Sequence, residues 1–376
     1  MRACLFILAF LAIHVSSFTS ASPKARTSFL KADTGPEETL PTPTQDVVRK
    51  VAVAGATGKT GRLVVQELLD RGIQVLGMVR NIEKAKETFS GEVANLEIAK
   101  VDLTDSDEIA SSLKGCDAII WCATGFSDEQ TDRFEGLKKI LGLPIAKAPK
   151  QSIDMVGVPA VAKAMLNEAT GISKGYPRVV MMSSAGVTRP SWSDEKKQRF
   201  PGCADIPIVR LNPFGILGIK AESEEKLRKS GVNYCVVRPS GLNDDWPAGA
   251  RPVVSQGDVA VGRINRKDVA ALLVDVLSAE EACDKTFEVV GLAGYPRPRN
   301  LAPVLARLKP DSELITEDEV ATSFGIMQQL VPGERQDPAA LAMGQTYEQL
   351  DAGKTGRLGE RGQENAEAAA PRPTGQ

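Results

Sequence analysis

An α/β fold built on a doubly wound parallel sheet, with a small C-terminal region for a substrate or partner, is the class this sequence predicts. Three observations carry it. Apolar β-branched runs alternate with amphipathic runs from residue 51 onward, the pattern of parallel strands joined by crossover helices. The first of these runs, Val51 to Ala54, opens into a turn with glycine at every third position, Gly55, Gly58 and Gly61, and then into an amphipathic run. The 376 residues are 42% apolar and 25% charged, enough for one large buried core.

Taken in order, strand runs are expected at 51–55, 73–79, 96–101, 117–122, 178–183, 233–237 and 286–290. Helical runs stand between them: after the glycine turn to about Arg71, from Ile82, and at 105–113, 154–168, 215–230 and 266–279. Residues 1–45 are expected to be a leader and linker, the stretch 36–45 carrying Pro36, Pro41 and Pro43, with the first strand entered near Val48. The folded domain is expected over 46–330. Lysine-rich residues 126–151, with Pro144 and Pro149, break the rhythm and read as an insertion at the mouth of the sheet, either a lid or a passive excursion. Residues 331–376 are rich in Gly, Gln, Glu, Ala and Pro and are expected to be a disordered tail.

The glycine turn carries chemistry. Gly55 can take a conformation closed to residues with a side chain, Gly58 lets the main chain approach a pyrophosphate, and Gly61 lets the helix pack against the strand. Phosphates would then lie at the helix N-terminus, where N–H groups and the dipole favour negative charge. Lys59-Thr60 is not a phosphate loop of the G-x-x-x-x-G-K-[ST] kind, because the spacing is wrong. The second strand run ends in Arg80, where an NAD-selective site would place an acid for the ribose hydroxyls. An arginine there suits a 2′-phosphate, and Lys59 adds positive charge, so NADP is expected rather than NAD; a solvated surface role for Arg80 is the alternative.

A net charge of −2 offers no basic footprint for nucleic acid. The one histidine, His14, lies in the leader, which excludes a histidine triad or histidine-ligated metal from the rest. Met1 to Val15 combines a basic start with a short apolar run, followed by small residues and Phe18, as secretory signals do. The basic, hydroxylated stretch Lys24 to Lys31 follows, as in transit peptides. Signal plus transit resembles the bipartite leader of algae with secondary plastids; secretion is the alternative. Cysteines at 116, 122, 203, 235 and 283 without metal-ligand spacing fit a reducing compartment better.

Collected along the chain, Gly55-Ala-Thr-Gly-Lys-Thr-Gly61, Val79-Arg80-Asn81, Val101-Asp102-Leu103, Cys116 to Gly125, Ser183-Ser184-Ala-Gly186, Lys220 to Arg228, Tyr234 to Leu242 and Arg263 to Ala270 resemble the atypical short-chain dehydrogenase/reductase superfamily. The closest flavour is its NmrA-like, NAD(P)-binding branch, over residues 48–300. The resemblance implies a Rossmann-like domain with the dinucleotide along the carboxyl ends of the strands. It implies Gly55, Thr57, Gly58, Lys59, Thr60 and Gly61 around the pyrophosphate and Asp102 and Leu103 beside adenine. Ala123, Thr124 and Gly125 would pass the ribose, with Ser183, Lys220 and Pro239 toward the nicotinamide. Open alternatives are that Asp102 caps a helix starting near Thr104, that Pro239 ends a strand, that Ser183 satisfies a nearby backbone group and that Lys220 is an exposed helix lysine. Glu222, Glu224 and Glu225 read as a solvated helix face supporting Lys226 and Arg228.

The superfamily's usual catalytic pair is a tyrosine followed four residues later by a lysine. None of the tyrosines at 176, 234, 295 and 347 has that lysine, and Ile216 stands four residues before Lys220. Two functions follow. One is an NADP-dependent oxidoreductase on a conjugated or plastid-type small molecule, with Lys220 and Ser183 as candidate catalytic residues. The other is a non-catalytic NADP-binding redox sensor or assembly factor with a plastid protein partner.

Overall fold

The computed structural model describes residues 44–90, 93–124, 152–167, 175–212 and 215–330, all within one compact unit. The leader, the expected insertion and the expected tail lie outside the described residues, as does Gly125. The chain enters through a helical turn, α1 (Thr44–Val47), at the end of the expected linker. It then alternates: β1 (Lys50–Ala54), α2 (Gly61–Asp70), β2 (Gln74–Val79), α3 (Ile82–Thr88), β3 (Leu96–Lys100), α4 (Ser106–Ser112), β4 (Ala118–Trp121), α5 (Ile153–Asn167) and β5 (Val179–Met182). Two short helices, α6 (Asp194–Arg199) and α7 (Pro207–Leu211), precede α8 (Ile216–Arg228) and β6 (Tyr234–Pro239).

The last part holds β7 (Gly241–Leu242), β8 (Ala250–Ser255), β9 (Arg263–Ile264), α9 (Arg266–Asp275), β10 (Lys285–Pro296), α10 (Ala302–Leu305) and α11 (Glu317–Leu330). Eight strands form one sheet in the order β3-β2-β1-β4-β5-β6-β10-β8, and β7 pairs with β9 separately. All neighbours in the large sheet are parallel except β10 and β8. Val51 lies between Val75 of β2 and Ala118 of β4, so the strand order reverses at β1, the switch point where such sheets leave a crevice for ligands.

Burial on both faces explains the near-continuous apolar runs of β1, β4 and β5. One face packs on α2, α3 and α9 through Val64, Leu68, Ala85, Val269 and Leu273. The other packs on α4, α5 and α8 through Ile109, Val158, Val161, Met165 and Leu227. Asn81 and Asp105 start α3 and α4 by accepting backbone N–H bonds, the capping chemistry their residue types favour.

Three readings change. Strand β8 falls where no strand run is read, between 237 and 266; its Pro252 is accommodated because β8 is the sheet's edge, where a missing N–H is tolerated. The strand expected at 286–290 runs on to Pro296 because β8 pairs antiparallel along it. The helix expected at 266–279 ends as α9 at Asp275 and continues as a tighter turn, Val276–Ser278.

Candidate dinucleotide and substrate site

The glycine turn sits at the carboxyl end of β1, against the end of β4. Gly55 has φ +78°, and a Cβ there would lie 2.9 Å from the Ala123 backbone. A Cβ at Gly61 would stand 2.1 Å from the Gly55 carbonyl oxygen, which no side-chain-bearing residue tolerates. The Gly58 N–H donates to the Gly55 carbonyl at 2.9 Å and closes the turn. Gly61 begins α2, and Thr60 makes no capping side-chain bond. The turn therefore offers an uncapped helix N-terminus over a backbone shaped by absent side chains, and these residues fit a pyrophosphate. Thr57 is half-buried, Gly58 and Lys59 are exposed, and Thr60 is buried.

Arg80 is exposed directly after β2, beside the turn in the sheet order. Asp102 follows β3. Its carboxyl is held below the usual range by the Thr104 hydroxyl and backbone N–H, at 2.7 and 2.8 Å, with a smaller effect from Arg80. The helix there is capped by Asp105, so Asp102 closes an Asx turn instead of capping α4. Leu103 is buried in the core, Ala123 is buried and Thr124 is exposed at the end of β4.

On the far side of the switch point the structure corrects several expectations. Lys220 is buried, with only 8% of the residue accessible, and its Nζ lies 3.8 Å from Oδ1 of the fully buried Asp154. It is not an exposed helix lysine. Glu224, one turn later, is also fully buried and does not belong to a solvated face. Its carboxylate accepts Arg238 Nε at 3.1 Å, Arg238 Nη2 at 2.6 Å and Arg228 Nη2 at 2.7 Å. Burial alone would raise the Glu224 carboxyl, but Arg238, then Arg228, hold it lowered. Ser183 does not satisfy a backbone group: its buried Oγ lies beside Glu224 and helps Arg238 and Arg228 lower that carboxyl, with no partner at full hydrogen-bonding geometry among the described residues. Pro239 is the last residue of β6, as its strand-ending alternative had it, and it also lines the cleft described next.

Beyond the ends of β5 and β6 opens a cleft of about 340 Å³, a size that holds a small organic molecule. Its walls come from Ser183–Ala185, Pro239–Leu242, Ile206–Ile208, Leu211, Ala260–Gly262 and Arg266. They are chiefly apolar, and two buried hydroxyls in them, Ser183 Oγ and Ser240 Oγ, have no hydrogen-bond partner. Arg266 is held by Asp244 at 2.8 Å. A buried clip fixes two of the walls. Asp258 accepts Gly186 N and Thr188 N at 2.6 and 2.8 Å, while Arg189 donates to the carbonyls of Asp258, Cys203 and Ala260. Glu288 anchors the same loop by accepting the Asp258 N–H at 2.9 Å, and burial beside the Asp258 carboxylate raises its carboxyl above the usual range.

Sequence reasoning missed Asp154, Ser240 and the Glu224–Arg238 pair. Signals existed for two of them. Asp154 is the only charged residue besides Lys163 in an apolar fifteen-residue helix, and Arg238 interrupts an otherwise apolar central strand. Among the described residues no cluster of potential metal ligands occurs.

A family model described as NAD(P)H-binding matches residues 55–280. An uncharacterized chloroplastic protein of Arabidopsis thaliana is 31% identical over 69% of this chain and 83% of its own length. The chloroplastic protein TIC 62 of Pisum sativum is 30% identical over 51% of this chain, but the match spans only 32% of that relative. Sanguinarine reductase of Eschscholzia californica is 28% identical over 64% of this chain and 88% of its own length.

Proposed function

Because the chain belongs to the NAD(P)H-binding family of the atypical short-chain dehydrogenase/reductase type, we propose that it is an NADP-dependent oxidoreductase acting on a mainly apolar small molecule in the plastid. The observation that carries this reading is the cleft at the ends of β5 and β6, apolar but for the buried Ser240 hydroxyl, which no described residue satisfies, and the buried Ser183 hydroxyl, which only the Glu224 carboxylate approaches. A buried hydroxyl left without a partner costs about 1–3 kcal/mol, so its retention on the wall of a cavity points to a ligand that supplies one. When bound, the nicotinamide supplies hydride. Ser183 and Ser240 would donate hydrogen bonds to a carbonyl or similar polar group and orient it, while Ile206, Ile208, Leu242 and Val261 exclude water from the apolar remainder. With Ile216 four residues before Lys220, the proton comes from solvent or from the substrate itself. Arg80 and Lys59 would hold the 2′-phosphate, and the leader sequence supports delivery to the plastid, as do the two chloroplastic relatives.

The missing tyrosine favours a second reading, a non-catalytic NADP-binding sensor or assembly factor. Steady-state oxidation of NADPH against quinones, flavins and enones separates the two, measured on the chain with and without its first 45 residues. Turnover with any of these acceptors supports the enzyme. Measurable NADPH binding without turnover across the panel moves the reading to the sensor.

A further inference from the structure

We propose that Asp154 is the positioning residue of the nicotinamide half of the site, acting through Lys220 in place of the tyrosine that the lysine's own helix lacks. This rests on the reading that the nicotinamide ribose lies beside Lys220. Asp154 belongs to the first turn of α5, where the helix dipole favours a carboxylate, and it is fully buried. Its Oδ1 accepts the Trp121 Nε1–H at 3.1 Å, and its Oδ2 has no hydrogen-bond partner among the described residues. The indole is aimed by packing. A Cβ at Gly157 would come within 2.4 Å of Trp121 Cη2, so only glycine, one turn along α5, lets the ring lie against the helix and point its N–H at Asp154.

The Lys220 ammonium faces the same carboxylate from α8 at 3.8 Å, an ion pair too long for a hydrogen bond. Glu224, on the same face of α8, is already engaged by Arg238 and Arg228 and does not serve Lys220. The neighbouring Cys122 thiol is pushed up to about 12 by burial, so it supplies no negative charge near neutral pH. Asp154 is therefore the carboxylate that faces the Lys220 ammonium under cover, among the described side chains. The long separation leaves ammonium hydrogens for ribose hydroxyls, and the idle Oδ2 is an acceptor for Lys220 or for a ribose O–H once the site fills.

The test uses the full chain and isothermal titration with NADPH and with 2′,5′-ADP, which lacks the nicotinamide half. NADH and ADP are titrated in parallel, so the pair is tested whichever dinucleotide binds. Failure with NADPH but binding of NADH sinks the 2′-phosphate reading of Arg80 and leaves the pair under test. Asp154→Asn is expected to weaken the whole dinucleotide about tenfold and the half-ligand less than about twofold, and Asp154→Asn combined with Lys220→Met should be no weaker than Lys220→Met alone. Equal weakening of both ligands, additive losses or no loss each overturn the proposal. Trp121→Phe, which deletes the indole N–H, should give about a threefold loss confined to the whole dinucleotide. It reads the same contrast should Asp154→Asn fail to fold.

Discussion

The two sides of the switch point are built by different means. On the β1 side, the candidate phosphate site is seven consecutive residues from Gly55 to Gly61, built from backbone: a positive φ, a closed turn and a helix start that Thr60 does not cap. On the β5–β6 side the site is assembled from side chains far apart in the chain, Asp154 with Lys220 and Glu224 with Arg238, under apolar cover. Holding a phosphate needs N–H groups that any backbone carries, so local sequence suffices. Holding the reactive half needs buried charges, and each must find its partner across the fold before burial becomes tolerable.

The largest effect is expected where the second side is broken. Glu224→Gln leaves Arg238 buried without its countercharge and should cost about 3 kcal/mol of unfolding free energy by denaturant titration. Acid checks the sign. A carboxyl held below its ordinary value of 4.5 stabilises the fold above that value and loses the contribution as pH falls through the lowered folded value. The gap between wild type and variant should therefore narrow at low pH. A constant gap would mean that packing, and not charge, sets the cost.

Breaking the first side should act on binding more than on stability. Gly61→Ala puts a Cβ 2.1 Å from the Gly55 oxygen, and the turn must open to admit it. Dinucleotide affinity should fall roughly a hundredfold, about 2.7 kcal/mol. Unchanged affinity in a calorimetric titration would remove the turn from the site.

That asymmetry also decides what was legible in the sequence. The alternation of runs gave the parallel sheet, and the three glycines gave the turn, because both are patterns within a few residues. The edge strand β8 carries Pro252, whose missing N–H is tolerated at a sheet's edge, a position that local sequence does not reveal. Glu224 looked like one of three surface acids, since helical spacing does not say which face is covered. Its burial depends on Arg238, fourteen residues away on β6, and on Arg228. The unpartnered hydroxyls of Ser183 and Ser240 leave no trace in sequence, because being unpartnered is a property of surroundings alone.

A smaller effect sharpens the cofactor assignment on the first side. Arg80→Ala should weaken NADPH about tenfold and NADH by less than about twofold, the difference expected from losing a paired grip on a 2′-phosphate at an exposed position. Equal losses would return Arg80 to the solvated surface.

The smallest change in stability carries the sharpest test of the second side. Ser240→Ala removes a hydroxyl that is buried and unpartnered among the described residues, and Ser183→Ala one that has only the Glu224 carboxylate beside it, so neither deletes a hydrogen bond of good geometry from the described fold. A structural serine loses stability on truncation. Ser240→Ala should shift it by about 1 kcal/mol toward greater stability, the low end of what a desolvated hydroxyl without a partner costs, and Ser183→Ala by less, because Glu224 lies beside that hydroxyl. If the cleft holds a polar group of the substrate, the same substitutions raise KM or lower kcat/KM about tenfold, while NADPH affinity stays put for Ser240→Ala. Gain in stability joined to loss in turnover is the signature of a group kept for its ligand. Loss of stability without loss of turnover would assign both serines to the fold.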